Sequence, residues 1–93
     1  MHRFVYVRLV RIISLRIRID CTYMRDEFYK NLGKNIKNRR KNLSLTQQDL
    51  ADRLDMSLNF VGKIEVAFSK PSLDTLIEIA KALDTTVSDL TRF

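Results

Sequence analysis

Cysteine is almost missing from this chain. The single Cys21 cannot form an intrachain disulfide, a usage that suits a reducing cytoplasm. It has no histidine or second cysteine nearby, so neither a metal site nor an activated nucleophile is indicated. Histidine is as scarce, with His2 alone in the N-terminal tail. There is no Ser/His/Asp set, no phosphate-cradling glycine loop and no metal-ligand cluster. An enzyme is therefore not expected, and neither is a cofactor or a small-molecule ligand. The acids Asp49 and Asp52 lie three residues apart and read as solubilising groups on a helix surface. Long apolar runs are missing too. Arginine recurs every few residues in the N-terminal quarter, so no stretch reaches even the length of a signal-peptide core. Glycine occurs only twice.

What is present fits one domain with a modest core, since the chain has 93 residues. A hydrophobic content of 45% with 30% charged residues describes a globular chain and not a disordered one. The net charge of +6 points to a polyanion, either nucleic acid or an anionic membrane. Its distribution is uneven. Residues 1–24 carry five arginines against one aspartate, and residues 25–93 are closer to neutral. Within the latter, Lys34, Lys37, Arg39, Arg40 and Lys41 crowd one stretch, either a phosphate-facing patch or a solvated helix face.

Residues 46–66, TQQDLADRLDMSLNFVGKIEV, organise the rest. Leu50, Ala51 and Leu54 form one stripe at helical period, and Phe60, Val61 and Ile64 form another. Thr46 with Asp49 is a helix-start signal, in which the hydroxyl accepts an orphan N–H and the carboxylate sits at the positive end of the dipole. Ser57 is an N-cap for the second helix. Only Asp55 and Met56 lie between the helices, which allows nothing but a sharp reversal. Such a pair is a helix-turn-helix, whose second helix is presented to the DNA major groove. Elsewhere, residues 25–42 read as a first helix with Phe28, Leu32 and Ile36 as its core stripe. Ser72 opens a fourth helix carrying Leu73, Leu76, Ile77, Ala80 and Leu83 inward. Thr86 and Asp89 open a fifth, with Val87, Leu90 and Phe93 apolar.

The segments TQQDLA, MSLNFVGKIE and KPSLDTLIEIAKALDTTVSDL together resemble the phage-repressor/Cro-like (XRE-type) helix-turn-helix family, over residues 28–93. The compact form is similar to restriction-modification controller proteins. The resemblance implies an all-α, five-helix, lambda-repressor-like DNA-binding domain at residues 25–93. It also implies an ion pair between Arg40 and Glu65 that ties the first helix to the third. Where Arg39 stands the family usually has an apolar residue, so Arg39 is expected to snorkel or to face phosphate. The family favours glycine at four turns where this chain has Ser44, Asp55, Ala67 and Asp84. Either those turns differ in shape or the domain gives up some stability.

If the second helix of the pair packs through Phe60, Val61 and Ile64, then Leu58, Asn59, Gly62, Lys63 and Val66 point outward. Asn59 can make a bidentate pair with adenine, and Lys63 can donate to guanine or to phosphate. Leu58 offers apolar contact to a thymine methyl, or else packs. Gly62 lets the helix approach DNA closely, or packs against the preceding helix. Gln47, by resemblance, reaches the backbone and sometimes an adjacent base. Ser57, Ser69 and Lys70 flank the helix as phosphate contacts.

Residues 1–24 fall outside the family pattern. Their odd positions from 5 to 19 are largely β-branched or apolar, which gives this extension β-strand character. It reads as a strand arm in a homodimer, as a basic segment against DNA or membrane, or as an over-long gene start ahead of Met24. The expected function is sequence-specific transcriptional regulation by a homodimer on a palindromic operator. Its interface would come from helices 4–5, through Leu90 and Phe93, or from the N-terminal arm, and its location would be cytoplasmic, on the nucleoid. An antitoxin-type autoregulator and a protein-interaction module that kept the fold without DNA binding are the alternatives.

Overall fold

The computed structural model describes the backbone from residue 17 and the side chains from residue 23 to the C-terminus. Five helices follow in order: α1 (Ile17–Asn42), α2 (Gln47–Leu54), α3 (Leu58–Glu65), α4 (Leu73–Ala82) and α5 (Val87–Leu90). No strand occurs among the described residues. The strand expected over residues 5–19 therefore fails at its end, where Ile17 onward is helical, and its remainder lies outside the described residues. The helix expected from residue 25 starts eight residues earlier. No glycine or proline separates residue 17 from residue 25. Extending an existing helix adds one hydrogen bond per residue fixed, which is far cheaper than nucleating one, and a short period-2 signal does not override that.

The core is one cluster drawn from every helix: Leu32 and Ile36, Leu50 and Ala51, Val61 and Ile64, Leu76, Ile79, Ala80 and Leu83, and Leu90. Each of the larger side chains stabilises the fold by roughly 1.5–3 kcal/mol on burial. Four expectations need correcting, the first being that Ile77, expected inward on the fourth helix, is 37% exposed. Phe28 is 40% exposed and stacks edge-on against Tyr29 and Phe93 at the rim. Leu73 is 67% exposed, while Ile79, which the sequence reading passed over, is fully buried. Leu90 lies in its own chain's core and is not available to a dimer interface.

Four side-chain caps set the helix starts. The hydroxyls of Thr46, Ser57, Ser72 and Thr86 accept from the N–H groups of Asp49, Phe60, Thr75 and Asp89. At Thr46 the box closes, because Asp49 accepts from the Thr46 N–H at 2.9 Å. At Thr86 it does not, and the Asp89 carboxylate meets Thr85 and Arg92 instead.

The helix ends share one device. Ser44, Asp55, Ala67 and Asp84 all have φ between 51° and 63°. At each, the residue's own N–H and the next one bond back to carbonyls of the helix just ended, as in Ala67 to Ile64 and Phe68 to Lys63. The turns therefore keep the left-handed shape without glycine. This costs Ala67 about 1–2 kcal/mol, and less for Asp, whose short polar side chain tolerates the conformation.

Candidate nucleic-acid interface

The α2–turn–α3 unit is built from the local signals just described. Its reversal is held by the Asp55 and Met56 N–H groups on the Asp52 and Ala51 carbonyls. At its entry, hydrogen bonds from the Thr46 backbone and then its side chain hold the Asp49 carboxyl below the ordinary aspartate value of 3.8. Val61 and Ile64 are buried, which fixes the rotation of α3 and turns Leu58, Asn59, Gly62, Lys63 and Val66 outward.

Beneath α3 lies a closed polar network. The Arg40 guanidinium grips Glu65 with both prongs, Nε to Oε2 at 2.7 Å and Nη2 to Oε1 at 3.1 Å. Its third nitrogen, Nη1, donates to the Leu45 carbonyl, which also fastens the loop before α2. Arg40 and Glu65 are both buried, and no buried side-chain polar atom among the described residues lacks a partner. Gln47, at the first position of α2, joins the network by donating Nε2 to Glu65 Oε1 at 3.0 Å. The carboxylate can only accept, so the orientation of the Gln47 amide is settled by its neighbour.

Above this network a shallow groove is lined by Gln47, Leu58, Asn59, Gly62, Lys63, Val66 and Phe68. None of these is acidic, and Glu65 is covered. Asn59 is exposed, as is Leu58 at its edge. Lys63 leans over the Phe68 ring, 5.6 Å from its centre. The N–H groups of Phe68 and Ser69 both bond to the Lys63 carbonyl, which seats the loop against the end of α3. Ser57 is exposed and uses its hydroxyl oxygen for the cap, so its proton is left to donate.

The other expected phosphate contacts are differently placed. Arg39 donates Nε to the Leu83 carbonyl and Nη2 to the Asp84 carbonyl, both at 2.9 Å. Arg53 does the same for Ala82. Two guanidinium groups thus satisfy the orphan carbonyls at the negative end of α4. Arg39 thus reaches the end of α4 and is not among the residues lining the α3 groove. Lys70 sits 3.8 Å from Asp26 and over the Tyr29 ring, which ties the loop to α1. Within the basic stretch of α1, Arg40 turns inward, Arg39 reaches α4, Lys41 is exposed, and Lys34 and Lys37 lie with Lys30 along the flank beside Glu65 and Val66.

Two functional features lie outside the sequence reading. Phe68 forms a wall of the groove, and its only signal was a large aromatic in a short loop. Gly33 lets α1 cross α3: a Cβ there would lie 2.5 Å from the Glu65 carbonyl oxygen and 2.7 Å from that of Ile64. A glycine in mid-helix, about 1 kcal/mol worse than alanine, was its signal.

Among the described residues, no helix is long and apolar enough to cross a membrane. No group of three or more His, Cys, Asp or Glu among them could hold a metal ion. The helix-turn-helix family model matches residues 36–90. No curated protein sequence matches the chain. Among solved structures, the restriction-modification controller protein C.AhdI from Aeromonas hydrophila superposes with a TM-score of 0.65 at 26% identity, over 67% of this chain and 94% of that one. An HTH_3 family transcriptional regulator from Vibrio cholerae gives 0.66 at 29% identity, over 70% of this chain and 36% of that one. Hydroxypropylphosphonic acid epoxidase from S. wedmorenis gives 0.64 at 25%, with only 34% of the epoxidase covered.

Proposed function

The chain belongs to the helix-turn-helix family, and we propose that it is a transcriptional regulator that binds operator DNA sequence-specifically as a homodimer. The observation that carries this is the α3 groove. It is free of acidic side chains and brings Gln47, Leu58, Asn59 and Lys63 onto one surface. In this reading residues 25–93 form the DNA-binding unit, and the N-terminal half of α3 enters the major groove. Asn59 pairs with adenine and Lys63 with guanine, while Leu58 lies against a thymine methyl. Ser57, Ser69 and the Lys30–Lys34–Lys37 flank grip phosphates, which position the protein without specifying sequence. The main-chain N–H groups at the start of α2, from Gln47 on, close the phosphate-backbone contact.

One α3 covers a short half-site, so two copies on a palindrome, with half-site centres about 34–36 Å apart, supply the specificity. Exposed Leu73 and Ile77 on α4, with Phe93 after α5, are apolar surface for that pairing. The likeness to a controller protein supports control by the protein's own concentration. An antitoxin-type autoregulator differs in the gene served and not in the chemistry. The partial match to an epoxidase is a likeness of fold, and function follows from the site.

Fluorescence anisotropy on DNA from upstream of its own gene, against a scrambled duplex across a salt series, tests the reading. Tight binding to the native duplex with a steep salt slope is expected. Asn59→Ala with Lys63→Ala should weaken it at least tenfold, since a good base contact is worth roughly 1–3 kcal/mol. An unchanged affinity in the double variant would sink the assignment. The apolar Leu58, Val66 and Phe68 also favour a second reading, a protein-docking surface, to which absence of DNA binding at low salt would move the weight.

A further inference from the structure

Gly62 is an open position in the outer face of α3. A Cβ built there meets nothing closer than the tip of Gln47, with Nε2 at 3.9 Å and Oε1 at 4.0 Å. Helix packing therefore gives no reason for glycine at a site where it weakens the helix. What the missing side chain does is leave the Gln47 amide facing the groove through α3's own surface. That amide is held from behind. One of its two N–H groups donates to Glu65 Oε1, and Glu65 is itself clamped by Arg40. The second N–H and the carbonyl oxygen are left side by side, a donor next to an acceptor. Around this pair stand the apolar side chains of Leu58, Val66 and Phe68, two of them more than 70% exposed.

We propose that Gly62 opens a window through which the Glu65-anchored amide of Gln47 reads the major-groove edge of an A·T pair, with the thymine methyl against Leu58, one turn before Gly62 on the same face of α3. The inference rests on the DNA-binding reading above and names the base pair that this part of α3 selects. Adenine offers N7 as acceptor beside the N6–H donor, the complement of the free amide edge, and thymine offers the only methyl in the groove. A guanine would set its O6 against the Gln47 oxygen, acceptor facing acceptor, and its cytosine partner brings no methyl. Glu65 and Arg40 act as positioning residues in this scheme. Without the carboxylate the amide is free to rotate, and either edge can face the DNA.

The test begins with the full chain selecting duplexes from a randomised pool. The best duplex is then remade with 7-deazaadenine, which removes only N7, or with uracil for thymine, which removes only the methyl. The proteins compared are wild type, Gly62→Ala, Gly62→Leu and Gln47→Ala, each checked by thermal melting. Gly62→Ala should melt no lower than wild type, since its methyl has room. At one A·T position per half-site, 7-deazaadenine should weaken wild-type binding roughly tenfold. It should have no further effect on Gly62→Leu or Gln47→Ala, whose affinities are already reduced. A pool that yields no preferred sequence overturns the underlying DNA-recognition reading. A preferred duplex whose adenines are all insensitive, or equally sensitive in wild type and variants, leaves that reading standing and overturns this one.

Discussion

The two glycines of this chain sit on opposite faces of the same helix contact, and only one of them is sterically required. Gly33 is pressed against the last carbonyls of α3, where any Cβ would overlap backbone atoms. Gly62 stands on the outer side of α3 with free space beyond it. On the inner side every feature closes: Val61 and Ile64 are buried, Arg40 and Glu65 are fully paired, and α1 lies at backbone distance. On the outer side features stay open, namely exposed apolar edges, an unmatched amide edge and a lysine resting on an aromatic ring. A rigid inner face holding an unsatisfied outer face is what presenting side chains to a partner requires.

The largest expected break in this contrast is on the inner side. Arg40→Ala leaves the Glu65 carboxylate buried with only the Gln47 amide as partner, and should cost about 3–5 kcal/mol. For a domain with a total stability of about 5–15 kcal/mol, this is a major loss. Urea denaturation of the wild-type and variant chains checks it. A loss below about 1 kcal/mol would mean that the pair is far more solvated than its burial indicates. Next comes Gly33→Ala, where one methyl group must push α1 and α3 apart at a cost of about 1–3 kcal/mol or more. The matching change on the other side, Gly62→Ala, should gain up to about 1 kcal/mol from helix propensity. Opposite signs for the same chemical change, read as melting temperatures, would support the contrast. Equal signs would remove it.

Much of this arrangement was legible in the residues because it is local or carried by the family pattern. The Thr46–Asp49 and Ser57 caps, the two-residue reversal and the Leu50/Ala51 and Val61/Ile64 stripes follow from period and spacing. Arg40 with Glu65 followed from resemblance. What was not legible depends on where distant segments cross. The bonds of Arg39 to the end of α4 were not legible, because nothing in its own helix shows that Leu83 and Asp84 arrive beside it. Gly33 showed only as a helix-weakening glycine, because the α3 carbonyls that require it belong to a distant segment. Leu73 fits an inward stripe by spacing, but it is the first residue of α4 and is 67% exposed, while Leu76 one turn on is buried. The helical start at Ile17 was masked by a period-2 pattern that is not long enough to decide between strand and helix.

The turns give a smaller effect of the opposite sign. Ala67 holds φ of 63° between α3 and the groove wall, a conformation that costs it about 1–2 kcal/mol and costs glycine little. Ala67→Gly should therefore raise the melting temperature, though glycine's greater unfolded-state freedom offsets part of the gain. Asp55→Gly and Asp84→Gly should gain less, because aspartate tolerates this region better. If Ala67→Gly lowered the melting temperature, the turn would not be left-handed in solution.

The smallest effect is set by pH. Asp49 closes the cap of α2 through the Thr46 N–H, and hydrogen bonding to Thr46 lowers its pKa from 3.8. A carboxyl with a lower pKa in the folded chain than in the unfolded one contributes stability that is fully present above 3.8. That contribution is lost as the pH falls through the lower, folded value. Asp49→Asn removes the ionised carboxylate, so the variant should melt below wild type at neutral pH. The difference should shrink below pH 3.8 as the wild-type side chain takes up its proton. Asp49 is fully solvent-exposed, so the effect should weaken with added salt. A melting difference that stayed constant from pH 7 to pH 3 would assign the cap's value to hydrogen-bond shape alone, with no part played by the carboxylate charge at the N-terminus of α2.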